Sequence, residues 1–166
     1  IYKPGLEATP FLRKLAERSL VVDRLYAVVP HTTKALIPIL AGIYPYLEPA
    51  VVEALPHILP ERSLVHILRR FGYRTAFFQT ANNYEERPSV VANLGFDKFS
   101  SLFDQPQEGF ADVNYFGKEE MMMLEPSLAW IEEDQKTPFF LTYLTLSTHH
   151  NYGTPPSFPT KDFGVD

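Results

Sequence analysis

The chain has 166 residues, 45% of them hydrophobic and 21% charged, with a formal net charge of −5. That is enough chain for one domain with its own core, the composition argues against disorder, and without a dense basic cluster nucleic acid is a poor partner. Cysteine is absent, which excludes disulfides, thiolate metal sites and cysteine nucleophiles, and the longest apolar run, Ala35 to Leu47, holds two prolines and is too short to span a bilayer.

In chain order, Thr9-Pro10 predicts a helix start, with Phe11, Leu12 and Leu15 on one face. Leu20 to Val29 is rich in branched residues and reads as a strand. A loop at Pro30-His31 then leads into a helix from about Thr33 to Ala41, kinked or shortened by Pro38. Residues 45 to 60 carry four prolines and read as irregular. Leu64, Ile67, Leu68 and Phe71 follow helical spacing, with Gly72 as the stop. Tyr73 to Thr80 is the next strand and runs into the polar loop from Ala81 to Arg87. Gly117 to Glu133 reads as a helix with Met121, Leu124, Leu128 and Ile131 inward. Pro138 to Leu146 is apolar nearly throughout, as in a strand covered on both faces. Helices alternating with such strands predict an α/β fold with a mainly parallel sheet flanked by helices.

Ligands of such sheets bind beyond the carboxyl ends of the strands. Three loops meet that rule: Pro30 to Lys34, Ala81 to Arg87, and Ser147 to Tyr152. Thr32 and Thr33 suit two roles there, as helix caps or as a nucleophile beside an anion held at the helix start. Lys34 adds a positive charge for a developing oxyanion, and Arg87 offers a planar fork for anionic oxygens. His149 and His150 follow a buried strand, where histidine donates to anions, binds metals or moves protons. Asn82 and Asn83 are candidates for a sugar or head group.

Several ordered segments resemble the sulfatase and alkaline phosphatase superfamily, and within it the lipoteichoic acid synthases and related phospho-transferases. They are TPFLRKLAERSLVVDRLYAVVPHTTKALIPILAGIYP, GYRTAFFQTANNYEERPSVVANLGFDKF, NYFGKEEMMMLEPSLAWI and PFFLTYLTLSTHHNYGTP. Counting back from Gly42-Ile43-Tyr44-Pro45, the resemblance places the nucleophile, and with it a metal ligand, on Thr32, with Thr33 as the alternative. Arg87, eight residues before Gly95, matches a substrate arginine, and His149 matches a histidine that contacts the transferred group. The chain departs from the family pattern in three ways. The C/S-x-P-x-R motif of formylglycine sulfatases is missing. Thr80 and Glu85 stand where the synthases carry Asp and Trp. His149-His150-Asn151-Tyr152 replaces His-x-Pro-Tyr.

The resemblance implies a metal-dependent hydrolase or transferase of phosphate esters, less readily sulfate esters, working through a covalent threonine intermediate. It implies one divalent ion (manganese, magnesium or zinc) in the complete domain. It also implies a small-molecule or lipid-linked anionic ester as partner, and an extracytoplasmic or periplasmic setting, with membrane contact only through segments outside this chain. The family's other metal ligands, an upstream acid and a downstream Asp-His pair, have no match here. Residues 1–166 therefore read as the central portion of a single sulfatase-like catalytic domain, expected to be inactive in isolation. The competing reading is a catalytically inactive sulfatase-like binding module.

Overall fold

The computed structural model describes residues 9–84 and 86–159. The chain divides into two compact units, one of residues 1–27 with 159–166, the other Val28–Phe158. The first contains α1, Pro10–Ala16, with proline in its first turn. Thr9 precedes it without forming a side-chain cap, and the face bearing Phe11, Leu12 and Leu15 is exposed.

The expected strand from Leu20 to Val29 does not form: no described residue of that run lies in a strand, and Leu20, Leu25 and Tyr26 are exposed. Branched residues favour an extended backbone, but a strand also needs a neighbour to take its N–H and C=O groups. No described strand pairs with this run.

The second unit is built around β1, Arg74–Gln79, the centre of a three-stranded sheet. It pairs in parallel with β2, Lys98–Ser100, on one side and with β5, Phe139–Leu144, on the other. Phe77 points to one face, against Leu36, Ile37 and Leu40 of α2 (Thr32–Ala41), Val65 of α3 (Leu64–Arg70), and Val90 and Val91 of α4 (Arg87–Asn93). Ala76 and Phe78 point to the other face, against Met123 and Trp130. Alternation along one strand thus feeds two cores, which makes three layers. β5 lies at the edge, with Phe139 and Tyr143 exposed, so it is less covered than its apolar sequence suggests. The strand covered on both faces is β1.

Two helical faces differ from expectation. On α3 the buried residue is Val65, while Leu64, Ile67 and Phe71 are exposed. This short helix carries two apolar stripes, and the sheet selects the one that periodicity alone did not. Over 117–133 the chain first forms a hairpin strand, β4 (Gly117–Lys118), antiparallel to β3 (Asp112–Asn114). A 3₁₀ turn, Glu120–Met123, follows, and only then α5, Leu124–Glu132. That entry shifts the helical phase, so Met122, Met123, Ser127 and Trp130 are buried while Met121, Leu124 and Leu128 face out.

The Leu94-Gly95-Phe96-Asp97 segment has a structural explanation. Leu94 and Phe96 are core, and Gly95 takes φ +97° where a Cβ would meet the His66 ring at 2.8 Å. Asp97 Oδ2 accepts from Thr75 N at 3.1 Å and Thr75 Oγ1 at 2.8 Å, while Oδ1 pairs with Arg69 Nε at 2.8 Å. Arg74 donates to the carbonyls of Trp130, Ile131 and Asp134, collecting acceptors that a helix end leaves open. None of the described helices is long and apolar enough to cross a membrane.

Candidate active site

Beyond the carboxyl end of β1 lies a cavity of about 190 Å³. Three segments converge on it: Pro30, His31 and Thr32; Ala81, Tyr84 and Arg87; and Leu144 to Leu146 with His149. Phe116, from the β3–β4 hairpin, closes the wall.

Thr32 opens α2 and is exposed, and it borders the cavity. The helix is capped by the residue before it: His31 Nδ1 accepts from Lys34 N at 3.3 Å. Accepting at Nδ1 requires that nitrogen to carry no proton, so the neutral ring holds its hydrogen on Nε2. The Thr32 hydroxyl is therefore not used as the cap, and it stands at the positive end of a ten-residue helix.

Thr33 is wholly buried and outside the cavity lining; its Oγ1 accepts from Arg87 Nε at 3.2 Å. Arg87, 6% exposed, reaches the cavity from the first turn of α4 and also donates from Nη1 to Gln79 Oε1 at 3.1 Å. His149 is half-buried, its ring edge-on to Phe116 at 4.8 Å, and its buried Nδ1 has no hydrogen-bond partner. His150 is exposed and meets the Tyr115 hydroxyl at 2.6 Å.

Like Thr33, Lys34 and Asn82 lie outside the cavity lining. Lys34 is 4% exposed, and Nζ donates to the carbonyls of Tyr46 at 2.7 Å and Glu48 at 2.6 Å, with Glu53 Oε2 at 3.7 Å. Two residues along a helix turn the side chain to the far side, so Thr32 and Lys34 cannot share a cavity. Asn82 takes part in an adjoining cleft with Phe103, Asp112 and Tyr115. Successive residues leaving a strand point opposite ways, which gives Ala81 to the cavity and Asn82 to the cleft. Glu85 lies outside the described residues.

Two further residues shape the cavity from within the NYFGKEEMMMLEPSLAWI segment, although the sequence did not single them out as site residues. Glu120 accepts from Leu146 N and Ser147 N, both at 2.6 Å, and from the Ser147 hydroxyl, so it shapes the turn leading to His149. Burial alone would raise its carboxyl pKa, yet these hydrogen bonds outweigh burial and hold it below the ordinary value. Gly117 lets β4 approach the end of β1: a Cβ there would lie 2.1 Å from Thr80 O. That approach sets Phe116, whose carbonyl accepts from Asn82 N at 2.9 Å.

Among the described residues no group of three or more His, Asp or Glu side chains is placed to hold a metal ion. Thr32 alone does not fit a divalent cation, since catalytic sites usually draw about three protein ligands.

A parallel sheet between helical layers, with a cavity at its carboxyl edge holding a threonine, a buried arginine and a histidine, defines an α/β fold of the alkaline phosphatase type. The Sulfatase family model matches residues 1–165, and the chain belongs to that family. The lipoteichoic acid synthase LtaP from Listeria monocytogenes shares the fold at TM-score 0.63 and 21% identity, over 77% of this chain and 31% of that one. An alkaline phosphatase superfamily protein from Vibrio parahaemolyticus does so at TM-score 0.62 and 18% identity, over 83% and 34%. The chain thus spans about a third of each of these structures. No curated protein matches it.

Proposed function

We infer that the chain supplies the nucleophile and anion-binding part of a hydrolase or transferase acting on phosphate esters, with sulfate esters the lesser fit. The observation that carries this is the convergence of Thr32, Arg87 and His149 on one cavity at the carboxyl edge of the sheet. Arg87 and His149 hold oxygens of the bound group, and α2 presents its N-terminal turn to them. Thr32 oxygen, once deprotonated, attacks phosphorus and the alcohol leaves. Water or an acceptor alcohol then attacks the phosphothreonine at phosphorus, taking the phosphoryl group and leaving the Thr32 hydroxyl reprotonated.

A divalent ion (manganese, magnesium or zinc) belongs to this reading, with ligands additional to the residues described. So do a small or lipid-linked anionic ester and an extracytoplasmic setting. The Listeria relative is a lipoteichoic acid synthase, and lipoteichoic acid synthesis is one transfer of this class. The test is intact mass and peptide mapping of the complete protein after brief incubation with divalent metal and an aryl phosphate diester. An adduct on the Thr32 peptide, absent from Thr32→Ala, is the expected result. An unmodified peptide with turnover intact in Thr32→Ala removes Thr32 from the mechanism, and no adduct, no product release and no metal binding in the unaltered protein returns the fold to a recognition role.

A further inference from the structure

Gln79 and Thr33 are absent from the cavity lining, yet both are completely buried, with Arg87, the arginine that reaches the cavity among the described residues, bonded to each. A wholly buried glutamine at the end of a central strand is costly unless its amide is satisfied. Gln79 meets that need in a directional way. Its amide nitrogen donates to the carbonyls of Ala81 at 3.2 Å and Asn82 at 2.9 Å, so the amide cannot be reversed without facing donors to donors. The oxygen is therefore turned to Arg87 Nη1 at 3.1 Å.

The backbone beneath is fixed as well, since Gln105 Nε2 donates to Gln79 O at 2.9 Å and to Ser101 O at 3.0 Å. On the other edge, Thr33 Oγ1 takes Arg87 Nε at 3.2 Å. Two acceptors on two rigid elements, β1 and α2, leave the guanidinium little freedom to tilt or slide.

We propose that Gln79 and Thr33 are positioning residues that set the plane and reach of Arg87 toward the bound oxyanion, and that Thr33 couples this clamp to Thr32, its neighbour in the chain. The proposal rests on the reading above, in which Arg87 binds the anionic group. A clamp held in advance loses less freedom on binding, and its fork meets the anion in one register with the attacking oxygen. Thr33 is thereby assigned to the arginine instead of to the substrate.

Calorimetric titration of inorganic phosphate into the complete protein tests this. Arg87→Ala should abolish measurable binding, which checks the underlying reading. Thr33→Val keeps the side-chain volume and removes the acceptor, and should weaken phosphate roughly tenfold, the scale of a lost hydrogen bond to a charged group. Thr33→Ser should restore affinity to within about twofold of the unaltered protein. In an Arg87→Lys background, which lacks the fork, Thr33→Val should add little. Gln79→Met, which removes the second acceptor, should repeat the Thr33→Val loss; if it does not fold, the Thr33 series stands alone.

Unchanged affinity in Thr33→Val overturns the proposal. So does equal weakening in Val and Ser variants, or the same loss in the Arg87→Lys background, because each points to packing. If Arg87→Ala binds phosphate as well as the unaltered protein, the reading of the site fails and the positioning proposal falls with it. If Arg87→Ala loses binding while Thr33→Val does not, only the proposal fails.

Discussion

The two ends of β1 use the same residue types for different purposes. At the amino end, Arg74 is spent on three carbonyls at the end of α5 and lies over Trp130 with its guanidinium carbon 4.5 Å from the ring centre, while Thr75 is locked to Asp97. At the carboxyl end, Arg87 is held by Gln79 and Thr33 and borders a cavity, and Thr32 stands beside it with its hydroxyl unused as a cap. Parallel strands all point their carboxyl ends the same way, so the chain must leave the sheet there through loops and helix starts, which gather donors around open space. The amino end receives helix carboxyl ends, whose carbonyls consume cations. Composition does not separate an arginine spent on helix carbonyls from one that lines a cavity. The end of the strand does.

The sharpest break of this comparison targets Lys34, a buried cation two residues beyond Thr32 whose side chain turns away from the cavity. Lys34→Met should destabilise the complete protein by about 3–5 kcal/mol, because it strands the buried Glu53 carboxylate and two carbonyls. Thermal unfolding measures this, and activity per folded molecule should be retained. Loss of turnover with stability intact would return Lys34 to the catalytic set.

Next is the close approach at Gly117. Gly117→Ala should cost about 2–4 kcal/mol, since the new methyl meets backbone at Thr80 and neither strand can yield cheaply. Phosphate binding should weaken with it, as Phe116 and the 80–82 loop shift together.

The two arginines can then be set against each other. Arg74→Ala should lower stability by about 2–3 kcal/mol with phosphate affinity unchanged in the folded fraction. Arg87→Ala should instead remove phosphate binding. Equal effects on affinity from both variants would erase the distinction between the ends.

The smallest effect concerns Glu120, half-buried and partly screened. Its folded pKa is lowered, so in the carboxylate range the unfolded chain binds more protons and stability rises with pH. The contribution is fully present above the unfolded glutamate pKa of about 4.3 and is lost as pH falls through the lower folded value. The unaltered protein should exceed Glu120→Gln by about 1 kcal/mol or less near neutral pH, with the gap closing on acidification. Denaturant titrations at several pH values read this, and a gap independent of pH would assign the effect to packing.

The helices at 10–16, 32–41 and 64–70 and the strands at 74–79 and 139–144 were legible because each carries a local mark, either a proline at a first turn, a glycine stop or an apolar run. Thr32, Arg87 and His149 were legible as neighbours because strand polarity alone sends their loops to one edge. Which face of α3 or α5 turns inward was not legible, since two apolar stripes satisfy the same period and only the sheet chooses between them. Nor was the fate of Leu20 to Val29, since extended propensity makes no strand without a partner ladder. Lys34 and Thr33 turn away from the cavity for one shared reason: adjacency in sequence at a helix start scatters side chains by about 100° per residue. Gln79, Glu120 and His31 acquired their roles from partners far away in the chain or from a cap bond outside the usual residue set. Sequence thus determined several of the elements and the edge where the cavity opens. Tertiary packing decided which polar groups are spent holding the others in place, because a hydrogen bond depends on where two groups meet and not on what each one is.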